Sequence, residues 1–136
     1  MIYCLDTDVL IEYFRGNEAM RRRVESLQDG DELALTWFSC FEFFKGVFWT
    51  GRREDEELLR DLVEAVRILE ESYDSARIGG QIYADLRRKG KLINDADIFI
   101  ASVAKAHGAI LVTNNEEHFS RIEGLPIENW TRNGAG

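Results

Sequence analysis

The stretch Ile2-Tyr3-Cys4-Leu5-Asp6-Thr7-Asp8-Val9-Leu10-Ile11-Glu12-Tyr13-Phe14 decides how this 136-residue chain folds. Ile2 to Leu5 is an apolar run of the length of a short buried strand, and Val9 to Phe14 then carries apolar residues at helical spacing until Gly16 stops it. A strand passing through a tight polar turn into a helix is the opening unit of an α/β sheet. Working outward, the same alternation recurs. A second helix is expected from Asn17 or Glu18 to Asp29, with Met20, Val24 and Leu27 on one face and Gly30 as its stop. Leu33 to Thr36 reads as a strand, Trp37 to Trp49 as a helix, and Asp55 to Val66 as a helix with Leu58, Leu59, Leu62 and Val63 inward. Arg67 to Leu69 is a third strand, followed by helices over Ser75 to Arg88 and Asp95 to His107. Ala109 to Thr113 is a strand, Glu117 to Ile122 a short helix and Pro126 to Asn129 an edge strand. This pattern predicts a parallel sheet of four to five strands with helices on both faces, a three-layer α/β/α arrangement. Its ligand crevice lies beyond the carboxyl ends of the strands, where Asp6 and Asn115 both fall.

Length and a hydrophobic content of 45% fit one domain with a real core. Cys4 and Cys40 sit within apolar patterns and read as reduced, buried thiols, which points to the cytoplasm. Met1 leads straight into a strand without a basic leader, and no apolar run has the length of a membrane span, so neither secretion nor membrane insertion is expected. A net charge of -8 excludes a general nucleic-acid coating protein, which needs a basic surface to release counterions. It leaves room for a nuclease that engages a polyanion locally and for a basic protein partner.

Four residues stand out by position: Asp6, Glu42, Asp97 and Asn115. Asp6, read from its own segment, fits a cap or turn as well as a site, and Asp8 fits a helix cap. Glu42 projects off a broad apolar arc of Trp37, Cys40, Phe41, Phe44, Val47 and Phe48, beside Ser39 and Gly46. Alone it reads equally as a solvent-facing partner of Lys45, although a glycine inside the helix suits close approach of a substrate or second backbone. Asp97 lies in the first turn of an apolar helix, where free amides and the helix dipole favour a carboxylate; Asp95 is the expected cap. Two carboxylates ~4 Å apart repel by about 4 kcal/mol at an effective dielectric of ~20, and three call for a cation. Oxygen ligands alone select Mg²⁺ or Mn²⁺ over zinc. His107 and His118 lack ligand spacing and read as local packing or hydrogen-bonding residues.

These residues resemble the PIN-domain ribonucleases, in particular the VapC toxins of toxin–antitoxin pairs. The resemblance is carried by Leu5-Asp6-Thr7-Asp8-Val9-Leu10-Ile11, by Glu42 followed by Gly46, by Asp95-Ala96-Asp97-Ile98-Phe99-Ile100-Ala101, by Val112-Thr113-Asn114-Asn115 with Phe119, and by Glu128-Asn129-Trp130. It implies a PIN-like nuclease domain over residues 1–130 with a flexible tail at 131–136. It implies that Asp6, Glu42 and Asp97 form an acidic Mg²⁺ (or Mn²⁺) site, that Thr7 supports Asp6 and that Asp95 joins through water. Asn115 takes the place where many PIN domains have a fourth acid, orienting a water or substrate without adding charge. Endonucleolytic cleavage of RNA, homodimerisation and inhibition by a cognate antitoxin follow as expectations.

Arg21 to Arg23, Arg52 with Arg53, and Arg87, Arg88, Lys89 and Lys91 form three basic clusters; the last is the expected RNA phosphate contact because it precedes Asp95. The helix at Trp37 to Trp49 holds more large apolar residues than one face can bury, with Phe38 and Trp49 outside the main arc, which fits either an interface or a covering helix. Two rival readings remain. A haloacid-dehalogenase-type phosphatase would use Asp6 as covalent nucleophile, and a non-catalytic PIN-like domain would only bind.

Overall fold

The computed structural model describes residues 1–132. In chain order its elements are β1 (Ile2–Leu5), α1 (Thr7–Phe14), α2 (Glu18–Glu25), β2 (Glu32–Thr36), α3 (Trp37–Thr50) and α4 (Glu54–Ala65). There follow β3 (Arg67–Leu69), α5 (Tyr73–Arg88), α6 (Asp95–Ala106), β4 (Ile110–Val112), α7 (Glu116–Phe119) and β5 (Ile127–Glu128). The five strands form one sheet in the order β3-β2-β1-β4-β5, and every neighbouring pair is parallel.

Alternation along the strands builds two cores. Cys4, Ala34, Leu69 and Leu111 face α5 and α6 on one side; Tyr3, Leu5, Leu35, Ile110 and Val112 face α1 to α4 on the other. That is the expected three-layer α/β/α arrangement. The chain builds outward from β1 through β2 to β3, then crosses back to place β4 against the other edge of β1. The switch point therefore lies between β1 and β4, where a doubly wound sheet opens a crevice at the carboxyl ends of its strands.

Several boundaries differ from expectation for local reasons. α1 starts at Thr7 rather than Val9, because Asp6 caps it by accepting from the Thr7 N–H; Asp8 lies exposed in the first turn. α2 ends at Glu25 rather than Asp29, where the Ser26 hydroxyl donates to the Arg23 carbonyl. α5 starts at Tyr73, earlier than Ser75, through a reciprocal capping box between Ser72 and Ser75. α6 is capped by Asn94, not Asp95. α7 closes at Phe119 instead of Ile122. Leu58 is exposed rather than inward, since only a narrow stripe of α4 around Leu59, Leu62 and Val63 meets the core.

Of the expected flexible tail, Thr131 donates its hydroxyl to Asn114 at 2.6 Å and Arg132 pairs with Glu116 at 2.8 Å, while 133–136 lie outside the described residues. Cys4 and Cys40 are buried and unbridged. Burial, reinforced by the charge of Asp6, pushes the Cys4 thiol up to about 12 and keeps it protonated. Among the described residues no helix is long and apolar enough to cross a membrane.

Candidate active site

Asp6 is the first residue beyond β1, and its N–H donates to the Val112 carbonyl at 2.9 Å, continuing the ladder to the end of β4. Both its carboxylate oxygens are engaged. Oδ1 accepts from the Thr7 N–H at 2.8 Å, and Oδ2 accepts from the Thr113 hydroxyl at 2.9 Å across the switch point. The side chain is only 6% exposed, and among the described residues no lysine or arginine forms an ion pair with it. Burial pushes its pKa up to about 6, against the opposing bonds from Thr113 and Thr7 and with smaller contributions from the charges of Asp8 and Asp97. Asp97 is thus close enough for its charge to be felt at Asp6.

Glu42 reaches this centre from α3. The Thr7 hydroxyl donates to Glu42 Oε1 at 2.7 Å, so Thr7 supports Asp6 through its backbone and Glu42 through its side chain. Asp97 arrives from the first turn of α6, its N–H donating to Asn94 Oδ1 at 2.8 Å and its Oδ2 accepting from Asn94 Nδ2 at 3.2 Å. On the β4 side, the Asn115 N–H donates to Thr113 Oγ1 at 2.9 Å. The Asn115 side-chain nitrogen lies 2.8 Å from His118 Nδ1, which stands 3.4 Å from Asp97 Oδ2. A neutral imidazole accepts from the first of these partners; a protonated one donates to the second.

Glu42, Thr7, Asp6, Thr113, Asn115, His118, Asp97 and Asn94 therefore form one run of polar contacts across the carboxyl end of the sheet. All four predicted site residues belong to it. They are linked rather than gathered: among the described residues no three His, Cys, Asp or Glu side chains stand in a metal-holding group. The chemistry of the donors still fits a hard divalent cation. Mg²⁺ keeps several waters and takes one or two carboxylates plus substrate phosphate, a demand that Asp6 and Asp97 can meet without a third.

Other expected contributors lie elsewhere. Asp95 is exposed along a groove between α5 and α6, with Ser72, Gly79 and Phe99, outside the run. Arg87 donates to the Tyr83 hydroxyl at 2.7 Å, Lys89 pairs with Asp85 and Glu123 at 3.1 Å each, and the Lys91 carbonyl accepts from Arg121. That cluster spends part of its charge locally. Gly46 has open space where a Cβ would stand, so among the described residues no second backbone approaches it; with Glu42, Ile11, Phe14, Arg15 and Arg52 it lines a cleft of about 310 Å³. The sequence shows no sign of the role of Thr113, and it marks His118 as a local hydrogen-bonding residue without its partner Asn115. The available signal was the three-residue spacing from Asn115 to His118 at the start of a short helix, which brings the two side chains together.

A family model described as PIN domain matches residues 3–125. The chain belongs to the PIN-domain family. This PIN domain is 35% identical over 125 residues to Ribonuclease VapC1 of Methanocaldococcus jannaschii, covering 90% of this chain and 84% of that one. It is 30% identical over 136 residues to Ribonuclease VapC1 of Haemophilus influenzae strain R2866, covering 97% of this chain and all of that one. Its fold is similar to the crystal structure of VapBC2 from Rickettsia felis bound to a DNA fragment from their promoter, with a TM-score of 0.88, 29% identity, and coverage of 96% and 99% of the two chains. Within the PIN family these relatives place it with the VapC ribonucleases. The phosphatase reading gives way on the same evidence. A PIN-domain match over residues 3–125 leaves no room for a haloacid-dehalogenase-type fold in the same stretch.

Proposed function

We propose that this chain is a Mg²⁺-dependent endoribonuclease acting as the toxin of a toxin–antitoxin pair in the cytoplasm. The observation that carries the reading is Asp6: a buried carboxylate at the sheet's switch point, with a raised pKa and the charge of Asp97 nearby. Such an arrangement is unfavourable by itself and gains stability when a cation enters. Asp6 and Asp97 would hold the ion, and Asp95 is left out. When bound, Mg²⁺ supplies a water of lowered pKa and a positive charge against the phosphoryl oxygens.

The protein's own groups do the rest. Thr113 and the Thr7 amide fix Asp6; Asn94 fixes Asp97. Glu42, joined to Asp6 through Thr7, would take the proton of the attacking water, and Asn115 would orient that water. Hydrolysis forms a P–O bond to the water oxygen and breaks the P–O bond to the leaving ribose oxygen, which ends protonated. Arg15 lines a cleft with Glu42 and, unlike Arg52, which pairs with Glu54 and Asp55, forms no ion pair among the described residues, so it is a nearer candidate for an RNA phosphate than the cluster Arg87, Arg88, Lys89 and Lys91. The exposed aromatics of α3, among them Phe41, Phe48 and Trp49, support a surface covered by a cognate antitoxin or a second copy in a homodimer.

The test is cleavage of a labelled RNA with Mg²⁺, with EDTA, and with Asp6→Asn or Asp97→Asn. The nuclease reading predicts cleavage that EDTA abolishes and that each substitution lowers by roughly 10²-fold or more at unchanged circular dichroism. Full activity of Asp6→Asn would refute it, and an inert wild type would favour a domain that only binds.

A further inference from the structure

The one aromatic base in the polar run, His118, has no part in the mechanism just given, although its ring nitrogen meets two of the site residues. Asn115 is held at two points: its backbone N–H donates to Thr113 Oγ1 at 2.9 Å, and its side-chain nitrogen lies 2.8 Å from His118 Nδ1. A carboxamide nitrogen can only donate, so the 2.8 Å contact is made by the imidazole that carries its proton on Nε2 and has a lone pair at Nδ1. With Nδ1 an acceptor, its 3.4 Å approach to the carboxylate oxygen Asp97 Oδ2 is a contact between two acceptors and no hydrogen bond. A planar carboxamide whose Nδ2 is tied in this way has its Oδ1 fixed as well, and among the described residues Oδ1 carries no protein hydrogen bond. Thr113 also serves Asp6, so the amide oxygen is held within the same bonded unit as the principal carboxylate.

We propose that His118 is a positioning residue: by accepting from Asn115 Nδ2 it locks the carboxamide so that Oδ1 presents a fixed acceptor to the attacking water. This rests on the nuclease reading. His118 acts through Asn115 and is not a ligand of the ion, so its loss lowers turnover while leaving metal and RNA affinity in place. Asparagine keeps an acceptor at the place of Nδ1, since its Oδ1 is likewise bonded to Cγ; leucine removes it.

Steady-state RNA cleavage by wild type, His118→Leu, His118→Asn, Asn115→Ala and His118→Leu/Asn115→Ala, with Mn²⁺ calorimetry on each, tests the proposal. His118→Leu is expected to lower kcat roughly 10-fold with KM and Mn²⁺ affinity within about twofold of wild type. His118→Asn should recover most of that loss, and the double variant should be no slower than Asn115→Ala alone, because the two side chains act as one unit. Wild-type turnover in His118→Leu, or independent losses that multiply in the double variant, overturns the positioning role while the nuclease reading stands. A loss of Mn²⁺ affinity in His118→Leu also overturns it, since His118 would then act on the ion through Asp97. An inactive wild type would instead remove the nuclease reading itself.

Discussion

α3 and α6 each contribute one carboxylate to the run of polar contacts at the carboxyl end of the sheet, yet they sit in the molecule in opposite ways. α6 buries Ile98, Ile100, Ala101, Ser102, Val103 and Ala104, and its small residues let α5 come close: a Cβ added at Gly79 would stand 3.4 Å from Ser102. α3 buries only Ser39, Cys40, Phe43 and Val47, while Phe41 is 54%, Phe48 55% and Trp49 90% exposed. Asp97 therefore projects from a helix wedged into the core and is tied to its own cap residue, Asn94. Glu42 rides on a rim helix and is held by one hydroxyl, that of Thr7, beside an open cleft. The difference separates a fixed half of the site from an adjustable half, and it puts the adjustable half where a partner protein would land.

Stability measurements probe that contrast with the largest effect. Ile100→Ala on α6 should cost about 2–5 kcal/mol in urea unfolding, the range for emptying a packed core position. Trp49→Ser and Phe48→Ser on α3 should stay within about 0.5 kcal/mol. Equal losses on the two helices would mean that the α3 aromatics are core and would erase the distinction.

The fixed half carries its own pH signature. Asp6 binds its proton up to about 6 in the folded chain, against 3.8 for an unperturbed aspartate. A raised carboxylate pKa means that the folded state holds the proton after the unfolded state has released it. Stability from this group is therefore greatest below the unfolded value and declines as pH rises towards 6, by about 3 kcal/mol in all. Asp6→Asn removes that decline but gives up the acceptor for Thr113, worth about 1 kcal/mol. Thermal unfolding of the metal-free protein should accordingly show Asp6→Asn more stable than wild type at pH 8 and not at pH 4. A variant that is less stable at both would show that the buried charge is compensated within the protein.

The smallest expected effect sharpens the adjustable half. Thr7→Val deletes the one hydroxyl that holds Glu42 and leaves the backbone amide on Asp6 in place. Stability should fall by about 1 kcal/mol. Chemical-shift changes should centre on Glu42 and α3 and leave Asp97 unmoved; spread into α6 would show that the two halves are coupled more tightly than the contacts imply.

Most of the architecture was readable because the strands are short apolar runs and the helices carry 3.6-residue periodicity, so Ile2 to Leu5 and Arg67 to Leu69 fall where expected. Helix starts were less readable. Of the two cap candidates at each start, Asp6 and not Asp8 holds α1, and Asn94 and not the expected Asp95 holds α6, since capping residues on either side of a boundary look alike in sequence. The broad arc of α3 misled in a different way: periodicity reveals a face but not what covers it, and Trp37, Phe41 and Phe48 face outward. Asp6, Glu42, Asp97 and Asn115 were visible as polar residues at strand ends and on apolar helices. The bonds from Thr7 to Glu42 and from Thr113 to Asp6 span 35 and 107 positions in the chain, and no local pattern carries such pairings.

The central claim is that Asp6 and Asp97 form a site made for a divalent cation. Calorimetric titration of Mn²⁺ into the metal-free wild type and into Asp97→Asn tests it most directly. The account predicts saturable binding to wild type that is lost or weakened by roughly 10-fold or more in Asp97→Asn. Equal affinities in the two proteins, or no binding to either, would contradict it.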